Sequence, residues 1–254
     1  KDIINYEKPG ISECMYKLAV RFVSLLLYPA VAKESSRNIT VLVFLPGIHE
    51  IETFKKLLSA EVIVGTKDQA TIHILHSMLS TEDQKKAFAT GSGSQVILST
   101  NISESSVTIP NVTFIVDFCL TKYNGKVGGS HMSSLITEWA TQNNCTQRAG
   151  RTGRIKQGIV YRLVHQSFYE KRMKKFPKPE ILSIPLESVI LKVKKLDMGP
   201  PCKILAVSLD PPDYSQIVDA ILILKEHGGL LRTNDAGEFE FDDGELTYMG
   251  ECMA

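Results

Sequence analysis

Helical and strand-like patterns of apolar residues alternate through the first two-thirds of the chain. An amphipathic helix is predicted near Ile11 to Leu27, and the apolar run from Ile39 to Leu45 predicts a strand that is buried on both faces. Further strand-like runs occupy 71–75, 95–99, 112–117 and 158–164. Because helical spacing separates several of these runs, the sequence predicts an α/β fold with a doubly wound parallel sheet.

The pattern changes after Pro179. Helical spacing returns at 185–195 and again after Asp213, and two short β-like segments follow at 238–241 and 246–248. Helices followed by a small hairpin are typical of a winged helix. We therefore expect the last part of the chain to form a small winged-helix domain.

Length and charge narrow the possibilities further. The 254 residues suit two modest domains, which we place at 1–175 and 176–254. The formal net charge is only +1, which argues against a strongly basic surface, so any contact with nucleic acid must be local. The five cysteines have no metal-ligand spacing and indicate reduced thiols in a cytosolic or nuclear protein. No metal site is expected within the chain.

The strongest chemical signal is the octapeptide QRAGRTGR at 147–154. On a helix, Gln147, Arg151 and Arg154 would lie at i, i+4 and i+7 and would point the same way. Two guanidinium groups and an amide on one face suit the oxygens of a triphosphate. An arginine that reaches the transferring phosphoryl group raises the rate by about 10³ to 10⁵. The motif therefore predicts catalytic roles for these three residues.

The octapeptide resembles motif VI of superfamily 2 helicases, with Gln first as in the DEAH-box group. The segment LSTNISESSVTI at 98–109 is similar to DEAH motif V, 43–51 resembles motif IV, and 76–84 resembles the motif that follows it. Residues 244–250 resemble the end of the DEAH winged helix. Four motifs in the right order identify the chain as the second RecA-like domain of a DEAH-box RNA helicase, followed by a winged helix.

The resemblance also implies roles for individual residues. Gln147, Arg151 and Arg154 would meet the γ-phosphate of ATP. The residues implied to bind or sense the rest of the nucleotide are Phe88, Ser106 and Thr108. Those implied to hold the RNA backbone are Thr100, Asn101, Gly47 and Ser77. Such backbone contacts carry no sequence information, which suits a motor that steps along any RNA.

Two signatures of a complete motor are missing from the sequence. It contains no Gly-x-x-x-x-Gly-Lys-Ser/Thr loop and no Asp-Glu-x-His segment, which would cradle phosphates and hold Mg²⁺. The resemblance implies that both belong to a first RecA-like domain that precedes Lys1. We therefore expect ATP with Mg²⁺ to bind mainly to that domain, and this chain to be inactive by itself.

Segments 160–165 and 190–199 resemble the Tudor-domain-containing DEAH helicases of the spindle-E type. This resemblance implies a role in piRNA-mediated transposon silencing in cytoplasmic, perinuclear germ granules (nuage). It implies RNA, the first RecA-like domain and piRNA-pathway proteins as partners, and no membrane.

Other assignments remain open. One is a splicing-type DEAH helicase, and another is a degenerate motor that clamps RNA or protein without turnover. Pro110 stands where DEAH proteins often carry an Asp near the ribose, which favours the clamp slightly. Gly129 to Met132 reads GSHM, which is either a native flexible loop or an engineered linker.

Overall fold

A computed structural model describes residues 4–27, 39–62, 70–76, 93–105, 109–126, 133–153, 157–234 and 236–254. The segment Gly129 to Met132 lies outside these residues. The chain divides into two compact units. One consists of Lys1–Tyr123 with Thr137–Pro177, and the other consists of Asn124–Ile136 with Lys178–Ala254.

The first unit is built around a parallel sheet, which has five strands in the described part of the chain. In chain order the strands of the protein are β1 (Thr40–Phe44), β2 (Thr71–Leu75), β3 (Gln95–Ser99), β4 (Val112–Asp117), β5 (Leu120–Lys126), β6 (Ser133–Trp139) and β7 (Ile159–Arg162). The sheet has the order β2-β3-β1-β4-β7, while β5 and β6 form a separate two-stranded sheet. Because β1 lies at the centre, with later strands added on both sides, the predicted doubly wound parallel sheet is confirmed.

Helices connect and cover the strands. In the first unit they are α1 (Glu13–Leu26), α2 (Ile48–Val62), α3 (Ile102–Ser105), α4 (Gln142–Ala149) and α5 (Gln166–Lys171). The second unit contains α6 (Glu187–Lys195), α7 (Pro201–Ala206), α8 (Tyr214–Glu226) and α9 (Tyr248–Met253), with a 3₁₀ turn at Glu180–Leu182. None of the described helices is long and apolar enough to cross a membrane.

The central strand β1 is buried on both faces, as its continuous apolarity predicts. Val41 and Val43 pack into a core shared with α1 and α2, whereas Leu42 and Phe44 pack into a second core on the other side. Successive side chains of a strand point to opposite faces, so one unbroken apolar run serves both cores.

The second unit has a helical core of its own. Its buried apolar residues are Leu186, Ile190, Leu191, Leu205, Ile217, Ala220, Ile221, Leu224 and Leu230. The predicted β-like segments 238–241 and 246–248 do not form strands there. They contribute only two isolated antiparallel bridges, Thr233 with Phe239 and Leu230 with Leu246.

Two local interactions involve these segments. The ammonium group of Lys225 donates to the carbonyl oxygens of Arg232 and Glu240. The hydroxyl of Thr247 accepts the amide of Gly250, so α9 begins where the second segment was expected to continue. The assignment of residues 176–254 to a winged helix stays a prediction.

The neighbouring residues Leu25 and Leu26 of α1 give a matched test of the first core. Leu26 is 1 % exposed and Leu25 is 56 % exposed. We expect Leu26→Ala to lower the free energy of unfolding by about 2 to 5 kcal/mol, because it leaves a cavity. Leu25→Ala should change it by less than about 0.5 kcal/mol. Urea denaturation of both variants measures the difference, and equal losses would contradict the assignment of this helix face.

Candidate functional site

The carboxyl ends of three neighbouring strands meet at one edge of the sheet. The amide of Leu45 after β1 donates to the Ser99 carbonyl at the end of β3, at 2.8 Å. On the other side, the Phe118 amide after β4 donates to the Phe44 carbonyl at 3.3 Å. The segments that follow these strands therefore lie side by side. Ligands of open α/β sheets bind outside this edge.

Helix α4 brings the octapeptide to this region. Thr141 caps its start, because the Thr141 hydroxyl accepts the Asn144 amide while the Asn144 side chain accepts the Thr141 amide, both at 3.2 Å. The helix is short, however, and ends at Ala149 with Gly150 as its C-cap. The helix therefore ends before Arg151, so the prediction that Gln147 and Arg151 share one helical face is wrong, and Arg154 lies outside the described residues.

The backbone beyond Ala149 follows a tight turn instead of an α-helix. The amide of Arg151 donates to the Arg148 carbonyl at 3.0 Å, and the amide of Thr152 donates to the Ala149 carbonyl at 3.2 Å. These bonds span three residues, and Gly153 then takes a φ of +77°, which an α-helix does not allow. Gln147 is exposed and Arg151 is half-buried. Their common orientation cannot be read from helical spacing.

Arg148 is the most buried of the described arginines in the octapeptide, although sequence reasoning gave it no role. Its side chain is almost fully buried, at 1 % exposed. Its Nε and Nη2 donate to Glu104 Oε1 at 2.8 and 2.7 Å, and its Nη1 donates to Asp117 Oδ1 at 2.8 Å. Nη2 also reaches the Leu120 carbonyl at 3.2 Å. The guanidinium thus joins α3, β4 and β5 to α4.

The electrostatics of Arg148 depend on its two carboxylate partners. Burial alone would lower the pKa of Arg148, because the interior disfavours the charged form. The charges and hydrogen bonds of Asp117 and Glu104 outweigh this effect, so the pKa of Arg148 is raised above its ordinary value. The guanidinium also lies over the Phe44 ring, 5.2 Å from its centroid. Arg148 is therefore a fixed cation inside the protein.

The segment after β3 carries the residues predicted to contact RNA. The hydroxyls of Ser99 and Ser103 lie 2.5 Å apart, and the Ser99 hydroxyl donates to the Thr100 carbonyl at 3.0 Å. Asn101 is exposed, whereas Thr100 is only 5 % exposed. The Glu104 amide donates to the Asn101 carbonyl at 2.9 Å and so begins α3. Asn101 is thus accessible to a ligand, while Thr100 presents little surface.

Gly47 lies next to the ion pair between Lys122 and Glu50. Lys122 Nζ is 2.8 Å from both carboxylate oxygens of Glu50, and both side chains are largely buried. A methyl group at Gly47 would lie 2.9 Å from Glu50 Oε2 and 2.9 Å from Lys122 Nζ. The absence of a side chain at this position gives the ion pair its space. Sequence reasoning missed Lys122, a positive charge immediately beside a residue expected to bind RNA.

One group of three potential metal ligands occurs in the described part of the chain, formed by Asp117, Cys119 and Cys145. It does not fit Mg²⁺, which prefers oxygen ligands in octahedral geometry. A hydrogen bond with Cys145, burial and the charge of Asp117 raise the pKa of the Cys119 thiol well above its ordinary value. Asp117 is also engaged by Arg148. We assign this cluster to the core around α4.

The remaining predicted site residues have different outcomes. Arg154, Phe88, Ser106, Thr108 and Ser77 lie outside the described residues. Thr100, Asn101 and Gly47 follow β3 and β1, whose ends meet at the same sheet edge. Gln147 and Arg151 flank the buried Arg148 at the end of α4. Arg148 contacts Glu104 in α3 and Asp117 at the end of β4, and it lies over the ring of Phe44 at the end of β1.

Removal of the Arg148 guanidinium should be severely destabilising. Arg148→Ala leaves the Glu104 and Asp117 carboxylates buried without their cation, which typically costs about 3 to 5 kcal/mol. Arg172→Ala is a control, because Arg172 is 64 % exposed and pairs with the exposed Glu7, so its loss should cost at most about 1 kcal/mol. Chemical denaturation gives both values. Similar losses of the free energy of unfolding in the two variants would contradict the structural role assigned to Arg148.

Comparison with known proteins agrees with this arrangement. Residues 20–156 match the helicase conserved C-terminal domain family. Two curated relatives are named probable ATP-dependent RNA helicase spindle-E. That of Aedes aegypti is 48 % identical over 99 % of this chain and 19 % of its own length, and that of Drosophila melanogaster is 38 % identical over 100 % of this chain and 18 % of its own length. The chain therefore spans about a fifth of the length of the curated relatives it matches.

Solved structures confirm the fold. The crystal structure of the Escherichia coli DEAH/RHA helicase HrpB is similar to 96 % of this chain, with a TM-score of 0.75 and 25 % identity, and the match covers 28 % of the HrpB chain. The parallel sheet of the first unit is the RecA-like α/β fold predicted from the motifs. Since the family match at 20–156 extends over more than half of the 254 residues, this protein belongs to the helicase conserved C-terminal domain family.

Proposed function

We propose that the chain is the C-terminal motor half of an ATP-dependent DEAH-box RNA helicase, which couples ATP hydrolysis to RNA remodelling. The observation that carries this proposal is the buried Glu104–Arg148 ion pair. It joins the segment expected to contact RNA, which follows β3, to the octapeptide expected to contact ATP. A motor that couples the two ligands needs such a junction, whereas a simple binding module has no evident use for it.

On the nucleotide side, the chain would supply one wall of the ATP site. ATP with Mg²⁺ would be bound mainly by a first RecA-like domain of the same protein, and the chain alone would not hydrolyse ATP. Gln147, Arg151 and Arg154 would stabilise charge on the γ-phosphate during transfer. The residues proposed to bind or sense the rest of the nucleotide are Phe88, Ser106 and Thr108.

On the RNA side, Gly47 follows the end of β1, and Thr100 and Asn101 follow the end of β3. Thr100, Asn101, Gly47 and Ser77 are the contacts expected from the motifs. To these we add Lys122, whose ammonium group borders Gly47. Amides, hydroxyls and single cations recognise the sugar-phosphate backbone without reading bases. This suits a protein whose formal net charge is +1 and which has no need of sequence specificity.

The cellular role that we propose is suggested by the similarity to proteins named spindle-E. We propose that the parent protein acts in germline piRNA-mediated transposon silencing, in perinuclear cytoplasmic granules, with piRNA-pathway proteins as partners. A splicing-type DEAH helicase is the alternative within the same family. Fluorescence imaging of the tagged parent protein in germ cells separates the two, because a splicing enzyme would concentrate in the nucleus.

A degenerate motor that clamps RNA without turnover is the second candidate. Pro110 favours it, because DEAH enzymes often carry a carboxylate there near the ribose. Arg151 and Arg154 argue against it, since a clamp has little use for both. The ATPase measurement that follows decides between these candidates.

Arg154→Ala tests the motor directly in the longer protein that includes the first RecA-like domain. We expect RNA-stimulated ATP hydrolysis by the wild type and a loss of about 10³-fold in the variant, because a cation at the transferring phosphoryl group is removed. Arg172→Ala, at an exposed position on the same unit, should retain wild-type turnover. A wild type that binds RNA but does not turn over ATP would favour the clamp.

Lys122→Ala tests the RNA side. A lysine that contacts one phosphate releases about one counterion, so its loss should reduce the slope of log affinity against log salt by about 1. Lys17→Ala is matched, because Lys17 also pairs with a glutamate but lies on the exposed face of α1. Fluorescence anisotropy with labelled oligouridine at several KCl concentrations gives both slopes. An unchanged slope for Lys122→Ala would remove Lys122 from the RNA site.

A further inference from the structure

We infer that Glu104 is a positioning residue through which RNA contact at residues 100–101 acts on Arg151. This inference rests on the proposed function, because it concerns communication between the proposed RNA and ATP residues. The backbone of Glu104 belongs to the segment that follows β3, which is the segment proposed to contact RNA. The two carboxylate oxygens of Glu104 bind side chains of α4. Three steps of direct contact connect the two ends.

The first step joins Thr100 and Asn101, the protein residues proposed to contact RNA, to Glu104. The Glu104 amide donates to the Asn101 carbonyl at 2.9 Å, and the Ser103 amide donates to the Thr100 carbonyl at 3.4 Å. The Ser103 hydroxyl is also bound to that of Ser99, so α3 is anchored to the end of β3. A shift of the Thr100–Asn101 backbone on contact with RNA therefore moves Glu104 with it.

The second step joins Glu104 to α4 by both of its carboxylate oxygens. Oε1 accepts two hydrogen bonds from Arg148, and Oε2 accepts one from Asn144 Nδ2 at 2.9 Å. Asn144 and Arg148 are four residues apart and therefore lie on the same face of the helix. Two points of attachment along one face control both the position of α4 and its rotation about its axis.

The third step leads from Arg148 to the nucleotide residues. The Arg148 carbonyl accepts the Arg151 amide at 3.0 Å, in the turn that follows α4. Gln147 precedes Arg148 directly and is exposed. A rotation of α4 that follows Glu104 would therefore redirect both Gln147 and Arg151 towards or away from the γ-phosphate.

Asp117 provides a matched control for a purely structural role. Asp117 Oδ1 binds the same guanidinium, and Asp117 is at least as buried as Glu104. Asp117 belongs to β4, however, and not to the segment after β3 that is proposed to contact RNA. Asp117→Asn and Glu104→Gln each remove one negative charge from beside Arg148. Asp117 Oδ1 makes the contacts with Arg148 and with the Cys119 amide, so an asparagine can keep both.

The experiment measures ATP hydrolysis by the full-length protein, without RNA and at saturating RNA. For Glu104→Gln we expect the RNA-free rate to remain near that of the wild type and the stimulation factor to fall by about 3- to 30-fold, as for residues that carry coupling between sites. For Asp117→Asn we expect a stimulation factor within about two-fold of the wild type. Thermal melting of both variants compares their folding.

Each alternative result has its own meaning. Equal losses of stimulation in the two variants, or no loss in Glu104→Gln, would overturn the inference and leave Glu104 a structural partner of Arg148. A wild type without RNA stimulation would instead refute the proposed motor function. If Glu104→Gln does not fold, Glu104→Asp keeps the charge but withdraws it by one methylene, and it should show the same selective loss of stimulation.

Discussion

The fold around the functional residues depends on one buried guanidinium. Arg148 has lost almost all contact with water, and an unpaired charge in such a place would cost several kcal/mol. It is tolerated because two carboxylates and a carbonyl satisfy its donors, and because Glu104, Asp117 and Leu120 come from three different segments. The guanidinium can stay buried only while all three segments keep their places, so the charge specifies the arrangement of α3, β4, β5 and α4.

This constraint assigns different tasks to arginines that are close in the sequence. Arg148 lies within the last turn of α4 and points into the protein, whereas the helix has already ended when the chain reaches Arg151. The buried arginine holds the helix end in place, and that helix end determines where the half-buried Arg151 begins. One arginine therefore stabilises the structure, and the next is the one that we propose to contact the nucleotide. The turn after Ala149 leads to Gly153, whose positive φ is incompatible with an α-helix.

The sequence predicts those parts of the structure that local pattern controls. The bounds of β2, β3 and β4 agree with the predicted strands residue for residue. The apolar runs of β3 and β4 are buried in the parallel sheet, whereas the edge strand β2 is mostly only half-buried. The end of α4 was not predicted, because helical spacing was extended across two glycines. The burial of Arg148 could not be predicted either, since its partners are 44 and 31 residues away. A carboxylate at the end of an apolar strand, such as Asp117, was the available signal that a cation must lie nearby.

The formal net charge of the chain is low, and the buried or half-buried cations Arg148 and Lys122 are each paired with carboxylates. Arg148 is neutralised by carboxylates, and Lys122 is held by both oxygens of Glu50 over Gly47. These cations do not add to a long-range positive field, which would hold RNA tightly and independently of the nucleotide. A motor must release its track in every cycle. In the proposed motor, a cation such as Lys122 that already has a protein partner would keep its RNA contact weak and local, so that a small shift of the strand ends would make or break it.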